Sequence, residues 1–165
     1  MPQQDFLSDH HIVSGLYPVA DAFATSMTTD YVNLANYRRV IFVIHTGVNT
    51  GGTANGVITV LAASDAAGTG AGAVAFKYRR SASSTTVDTW GALTDAASTG
   101  VAMTAASNNL YIVEVTADQV EGADPGNPFV ALKVTEDTND PIVAGVLIIL
   151  AEPRYPQAVP VTAIV

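Results

Sequence analysis

The amino-acid sequence predicts an all-β protein: a single β-sandwich, jelly-roll-like, with roughly eight strands and extended N- and C-terminal arms. Three observations lead there. Short apolar runs rich in Val, Ile, Phe and Tyr recur at intervals of about ten to twenty residues, with Gly, Asn, Asp and Pro between them. No stretch carries the spacing of a long amphipathic helix. The most apolar run, Ile142 to Ala151, is β-branched, bounded by Pro141 and Pro153, and too short for a bilayer-spanning helix, which needs about 20 residues. Such a run reads as a central strand buried on both faces.

The elements follow in order. Residues 1–20 mix polar and apolar positions without a clear period and read as an N-terminal arm. Residues 19–27 are strand or coil. Thr28 to Leu34 alternates around Tyr31 and Val32, and Ala35-Asn36-Tyr37 turns the chain. Val40 to Ile44 is an unbroken apolar core within Arg38–Thr46, a second strand expected to be covered on both faces. Val48 to Gly56 is rich in turn residues, and it is expected to close a hairpin with Val57–Ala63.

After the loop Ser64–Gly72, residues 73–80 alternate cleanly, with Val74, Phe76 and Tyr78 on one face. Val87–Leu93 and Gly100–Thr104 read as two shorter strands, with Trp90 a core or interface anchor. Leu110–Thr116 is a strand, Asp118–Asn127 a loop, and Phe129–Thr135 the strand before the apolar run. Residues 156–165 form a C-terminal tail. One domain spans 1–165, long enough to bury roughly 70% of its unfolded surface.

Composition narrows the function. The chain is 48% apolar and only 13% charged, against about 25% charged in an ordinary soluble domain. Much of its surface must therefore be small and neutral, which suits packing against other protein. The net charge of −8 repels phosphate backbones and anionic headgroups, so neither nucleic acid nor membrane is an expected partner. Arg38-Arg39 and Lys77 to Arg80 are expected to pair with carboxylates such as Glu114 or Glu136. With no cysteine there is no disulfide or thiolate site. The first residues lack a basic and an apolar region of a secretory signal, which points to synthesis in a cytoplasm.

No catalytic constellation stands out. His10 and His11 are adjacent, so on an extended segment they point apart, and no metal site is expected from them or from His45. There is no G-x-S-x-G elbow. Gly68-Thr69-Gly70-Ala71-Gly72 lacks the lysine and hydroxyl of a phosphate loop. The acidic stretch Asp118–Asp124 fits no EF-hand spacing. Catalytic residues, cofactors and metal are all expected to be none. The two ends are different: too apolar to float in water and too irregular to form a core. They supply the candidate interface residues Phe6, Leu7, His10, His11, Ile12, Arg154, Tyr155, Val159, Val161 and Ile164.

The order His10-His11-Ile12-Val13-Ser14-Gly15-Leu16-Tyr17-Pro18, then Asn36-Tyr37-Arg38-Arg39-Val40-Ile41-Phe42, Phe76-Lys77-Tyr78-Arg79-Arg80, Asp88-Thr89-Trp90-Gly91, Leu110 to Val115 and Glu152-Pro153-Arg154-Tyr155 resembles a family of capsid decoration, or cement, proteins of tailed bacteriophages. The resemblance runs over nearly the whole chain. It implies a β-sandwich made in the host cytoplasm that assembles as a homotrimer on the outer surface of the phage head. There it would tie neighbouring major capsid protein subunits together, with no enzymatic activity. The alternatives are another virion sandwich, such as a head fibre base or tail-associated protein, and a carbohydrate-binding jelly roll.

Overall fold

The computed structural model of the chain describes residues 6–51, 56–81, 89–137, 141–155 and 164. A one-turn helix, α1 (Phe6–Asp9), leads into β1 (His10–Val19), followed by β2 (Ser26–Thr28), β3 (Val32–Asn33), β4 (Tyr37–Asn49), β5 (Val57–Ala63), β6 (Gly72–Val74) and β7 (Phe76–Arg80). Then come β8 (Thr94–Ala96), β9 (Val101–Ala102), β10 (Leu110–Thr116), a short helix α2 (Ala117–Ala123), β11 (Phe129–Thr135) and β12 (Ile142–Pro153).

The strands form two antiparallel sheets. One has the order β1-β12-β4-β10-β7-β8, the other β2-β11-β5-β6, with β3 and β9 added at β11 and β5. The pairs nest from the outside of the chain inward: β1 with β12, β2 with β11, β4 with β10 and β5 with β6. That nesting is the winding of a jelly roll, and β7 and β8 widen its first sheet. The fold is thus the expected all-β sandwich, with additional short strands beyond the basic eight.

Between the sheets lies one apolar core. Phe42, Ile44, Ile148, Leu150, Val113 and Phe76 face inward from the first sheet, meeting Ile58, Val60, Val130, Leu132 and Val134 from the second. The buried hydroxyls of Thr46 and Thr29 are hydrogen-bonded. The Thr46 hydroxyl accepts from the Asn109 N–H (2.9 Å) and donates to its carbonyl (3.0 Å), while the Thr29 hydroxyl accepts from Leu132 N–H (3.0 Å). Burial holds the Tyr111 phenol above its ordinary pKa, and its oxygen accepts from the Thr104 N–H at 2.9 Å.

Several expectations change. Residues 10–19 of the expected arm are extended, yet they pair along β12 from His10↔Ala151 to Val19↔Ala144 and form the edge strand of the sandwich. Val13 and Leu16 pack against the core. β4 and β5 do not form a hairpin: β4 pairs with β12 and β10, while β5 pairs with β11, β6 and β9 in the opposite sheet. Each finds its partners within its own sheet, and the connection between them crosses from one sheet to the other. Val87–Leu93 lies partly outside the described residues. Trp90 makes a bridge to Ser81 but is 38% exposed, a surface residue rather than a core anchor. The tail 156–165 lies outside the described residues apart from Ile164.

Part of the expected loop Asp118–Asn127 is α2. Thr116 caps it: its hydroxyl accepts from the Gln119 N–H, and the Gln119 side chain accepts from the Thr116 N–H at 2.9 Å. This reciprocal pair is readable as T-x-x-Q and starts a helix just where β10 ends. Thr116→Ala is expected to lower stability by about 1 kcal/mol in urea denaturation, with Thr116→Ser retaining most of it.

The glycine-rich loop after β5 is organised by its own carboxylate. Asp65 accepts from the N–H groups of Ala67 and Thr69, both at 3.0 Å, so these amides hold an internal anion. The same bonds keep the Asp65 carboxyl below its ordinary pKa of 3.8. Because the folded value is lowered, this contribution is present at neutral pH and is lost as the pH falls below 3.8. Amide hydrogen exchange at Ala67 and Thr69 should show it: slowed exchange at neutral pH, lost on acidification and lost at all pH values in Asp65→Ala.

Candidate protein-binding face

The two longest apolar strands, β4 and β12, lie side by side at the centre of the first sheet, from Pro153↔Tyr37 to Ile142↔Asn49. Alternate residues point inward. Val40, Phe42 and Ile44 on β4, and Val146, Ile148 and Leu150 on β12, are fully buried against the second sheet. The intervening residues point out, and they are apolar too. The expectation that both faces of these strands are covered is therefore corrected: a two-layer sandwich covers one face of each sheet, and no third layer lies over the other among the described residues.

Register places the outward residues in rows. One row crosses the sheet as Ile12, Ile149, Ile41, Glu114, Lys77 and Asp95, and the next as Ser14, Leu147, Val43, Ile112 and Arg79. Leu147 is 49% exposed, Ile12 47% and Val143 44%. Ile41, Val43, Ile112 and Ile149 are half-buried, each shielded by its neighbours in the row. The outer face of the second sheet differs sharply, with rows of Thr28, Lys133 and Thr59, and of Ser26, Thr135 and Val57. These rows carry threonine, serine and lysine, and the next one along, Ala131, Leu61 and Ala73, is apolar, whereas the first sheet is aliphatic at its centre.

Charge frames the aliphatic rows. Arg39 bridges Glu114 (3.0 Å) and Glu152 (2.9 Å), the first as the sequence led us to expect, and Lys77 pairs with Asp95. These partly exposed pairs contribute little stability each and serve mainly to neutralise the margin. Glu136 is used elsewhere, its carboxylate accepting from the Thr25 N–H at 2.8 Å. Toward the other end, β1 bulges between Ser14 and Leu16 and again before Val19. Pro18 stands over Gly145 there, and with Tyr17 it lines a groove of about 860 Å³ that also includes Val43, His45, Val143 and Leu147. His45 is exposed in mid-strand, not at a strand terminus.

The candidate interface residues fall into two places. Phe6 stacks on His10 at 4.2 Å, and the His10 Nδ1 lies 2.9 Å from the Phe6 carbonyl. His11 turns inward toward Tyr37, ring centroids 6.4 Å apart. Since His10 pairs with Ala151, this group sits at the same end of the sheet as exposed Arg154 and Tyr155. The Arg154 side chain lines a shallow cavity of about 320 Å³ with Asp118 and Glu121, and its N–H donates to the Asn36 carbonyl at 2.8 Å. Ile12 alone of the ten belongs to the aliphatic rows, and Ile164 is partly exposed. Val159, Val161 and the Leu7 side chain lie outside the described residues.

Reasoning from sequence missed Val43, Val143, Leu147 and Ile149 as surface residues. Their signal was present as the unbroken apolar runs, but it was assigned to burial within the chain. Among the described residues no group of His, Asp and Glu is placed to hold a metal ion, and no helix is long and apolar enough to cross a membrane.

The fold and this face define a jelly-roll sandwich with one aliphatic sheet face that is uncovered among the described residues. No protein-family model and no curated protein matches the chain. Among solved structures it is similar to the crystal structure of SPBc2 prophage-derived protein YomS, at 15% identity and a TM-score of 0.42, covering 85% of this chain and 93% of that one.

Proposed function

We propose that this chain is a structural virion protein of a tailed bacteriophage, a capsid decoration or cement protein. It binds the outer surface of the head as a homotrimer and stabilises contacts between major capsid protein subunits. The observation that carries the reading is the aliphatic outer face of β4 and β12, which no described residue covers and which suits a protein partner. The resemblance of its sequence to the decoration family supplies the setting. A low content of charged residues and a net charge of −8 suit a protein that stays dispersed until it assembles and keeps away from packaged DNA. Many copies on one shell make weak individual contacts sufficient.

The test is to mix the purified protein with phage heads that lack it. Retention on the shells with a gain in thermal or osmotic resistance is the expected result. Failure to be retained, or retention without that gain, overturns the reading. Electron microscopy of labelled particles separates head decoration from a fibre base or tail location.

A further inference from the structure

We infer that the cavity lined by Trp90 and Arg79 takes a carboxylate side chain of the protein that covers the aliphatic rows, so that the partner presents an apolar segment carrying an Asp or Glu. This deepens the proposed function by naming the chemistry of the partner, and it rests on that reading for the source of the segment.

Register brings the two residues to one margin of the strip. The row of Gly145, His45, Leu110 and Ser81 ends on Trp90, and the neighbouring row of Leu147, Val43 and Ile112 ends on Arg79. There Trp90, Arg79, Lys77, Leu93, Ile112 and Glu114 line a cavity of about 390 Å³. Trp90, the single tryptophan of the chain, and Leu93 are both exposed, so an apolar wall and a cation open to the same space. Tryptophan and arginine are the side chains on which interface energy concentrates.

Charge selects the occupant. The carboxylates of this margin are already engaged: Glu114 and Glu152 hold Arg39 at 3.0 and 2.9 Å, and Asp95 holds Lys77. Arg79 is exposed and has no ion pair among the described residues. A protein laid over Leu147, Val43 and Ile112 takes water from its guanidinium. A neutral or basic surface leaves that charge uncompensated, whereas a carboxylate accepts two parallel hydrogen bonds from the planar fork of the arginine. The molecule as a whole, at a net charge of −8, turns acidic segments away, so an unpaired cation on an apolar margin marks where one can approach.

The experiment reads the fluorescence of Trp90. The purified full chain is titrated with capped nine-residue peptides of alternating Leu and Ser that carry Glu, Gln or Lys at the centre, and in parallel is sedimented with phage heads that lack it. Expected is a shift of the emission to shorter wavelength with the Glu peptide, at a concentration about tenfold or more below that needed with Gln or Lys. Arg79→Glu removes this preference and weakens retention on heads about a hundredfold. Trp90→Ala weakens retention about thirtyfold. Lys133→Glu, the same change of charge on the opposite sheet, alters neither. Arg79→Lys keeps the charge without the fork and lowers the preference about threefold, which preserves the test should Arg79→Glu fail to fold. Emission that ignores all three peptides, or that answers Glu and Gln alike, overturns the inference. So does a shift with free saccharides and none with the Glu peptide, which assigns the cavity to a glycan. Heads that retain Arg79→Glu and Trp90→Ala as well as wild type leave the proposed function and remove this inference. An Arg79-dependent preference for Glu without retention on heads does the reverse.

Discussion

Ile148→Ala is expected to destabilise the protein by about 2–5 kcal/mol, whereas Leu147→Thr, one residue away, should change stability by no more than about 0.5 kcal/mol. Ile148 is fully buried on the inner face of β12, in the core with Phe42 and Leu150, so truncation leaves a cavity that the flanking strands cannot close. Leu147 points to the other side, where half its surface meets water, and threonine supplies a β-branched side chain that suits a strand. Urea denaturation at a concentration low enough to separate copies reads both values. Equal costs at the two positions would mean that the outer face is covered within the chain, and the argument for an external partner would fall with it.

Deletion of residues 2–19 should be equally severe. Were the segment a loose arm, its loss would leave the sandwich intact. As β1 it covers one long edge of β12 and adds Val13 and Leu16 to the core. Losing those partly buried side chains removes about 3 kcal/mol from a total that is typically 5–15 kcal/mol. It also bares the backbone edge of the most apolar strand, an invitation to intermolecular pairing. Thermal unfolding is expected at a markedly lower temperature and with aggregation. An unchanged, reversible transition would contradict the assignment of β1 to the sheet.

The winding also explains why the order of strands was hard to read in advance. The outermost pair, β1 with β12, closes nearly the full length of the chain, and no adjacent-strand turn signal reports such a partner. The turn residues of Val48–Gly56 suit a hairpin, yet the chain crosses there to the second sheet, because the nested pairing has already assigned β4 to β12 and β10. Turn chemistry says that the chain reverses; it does not name the sheet it joins. At α2 the local signal was sufficient, since Thr116 and Gln119 act within one turn.

The candidate face shows the same division. Apolar patterning alone established an all-β sandwich and identified residues 40–44 and 142–151 as its central strands. It also led to the expectation that both faces of those strands are buried, which among the described residues holds for one face only. Tertiary structure alone decided which face the molecule covers itself. With both parities apolar, a one-residue slip of β12 would exchange Leu147 for Ile148 at small cost in burial, so the pattern cannot set the register. Close packing adds to it: a Cβ at Gly15 would stand 2.9 Å from Ile148 Cγ1 and 3.0 Å from Thr29 Cγ2, and one at Gly145 would stand 3.1 Å from Pro18 Cγ, so the observed register needs glycine at both positions. Those contacts accompany an inward Ile148 and an outward Leu147, on the face that no described residue covers.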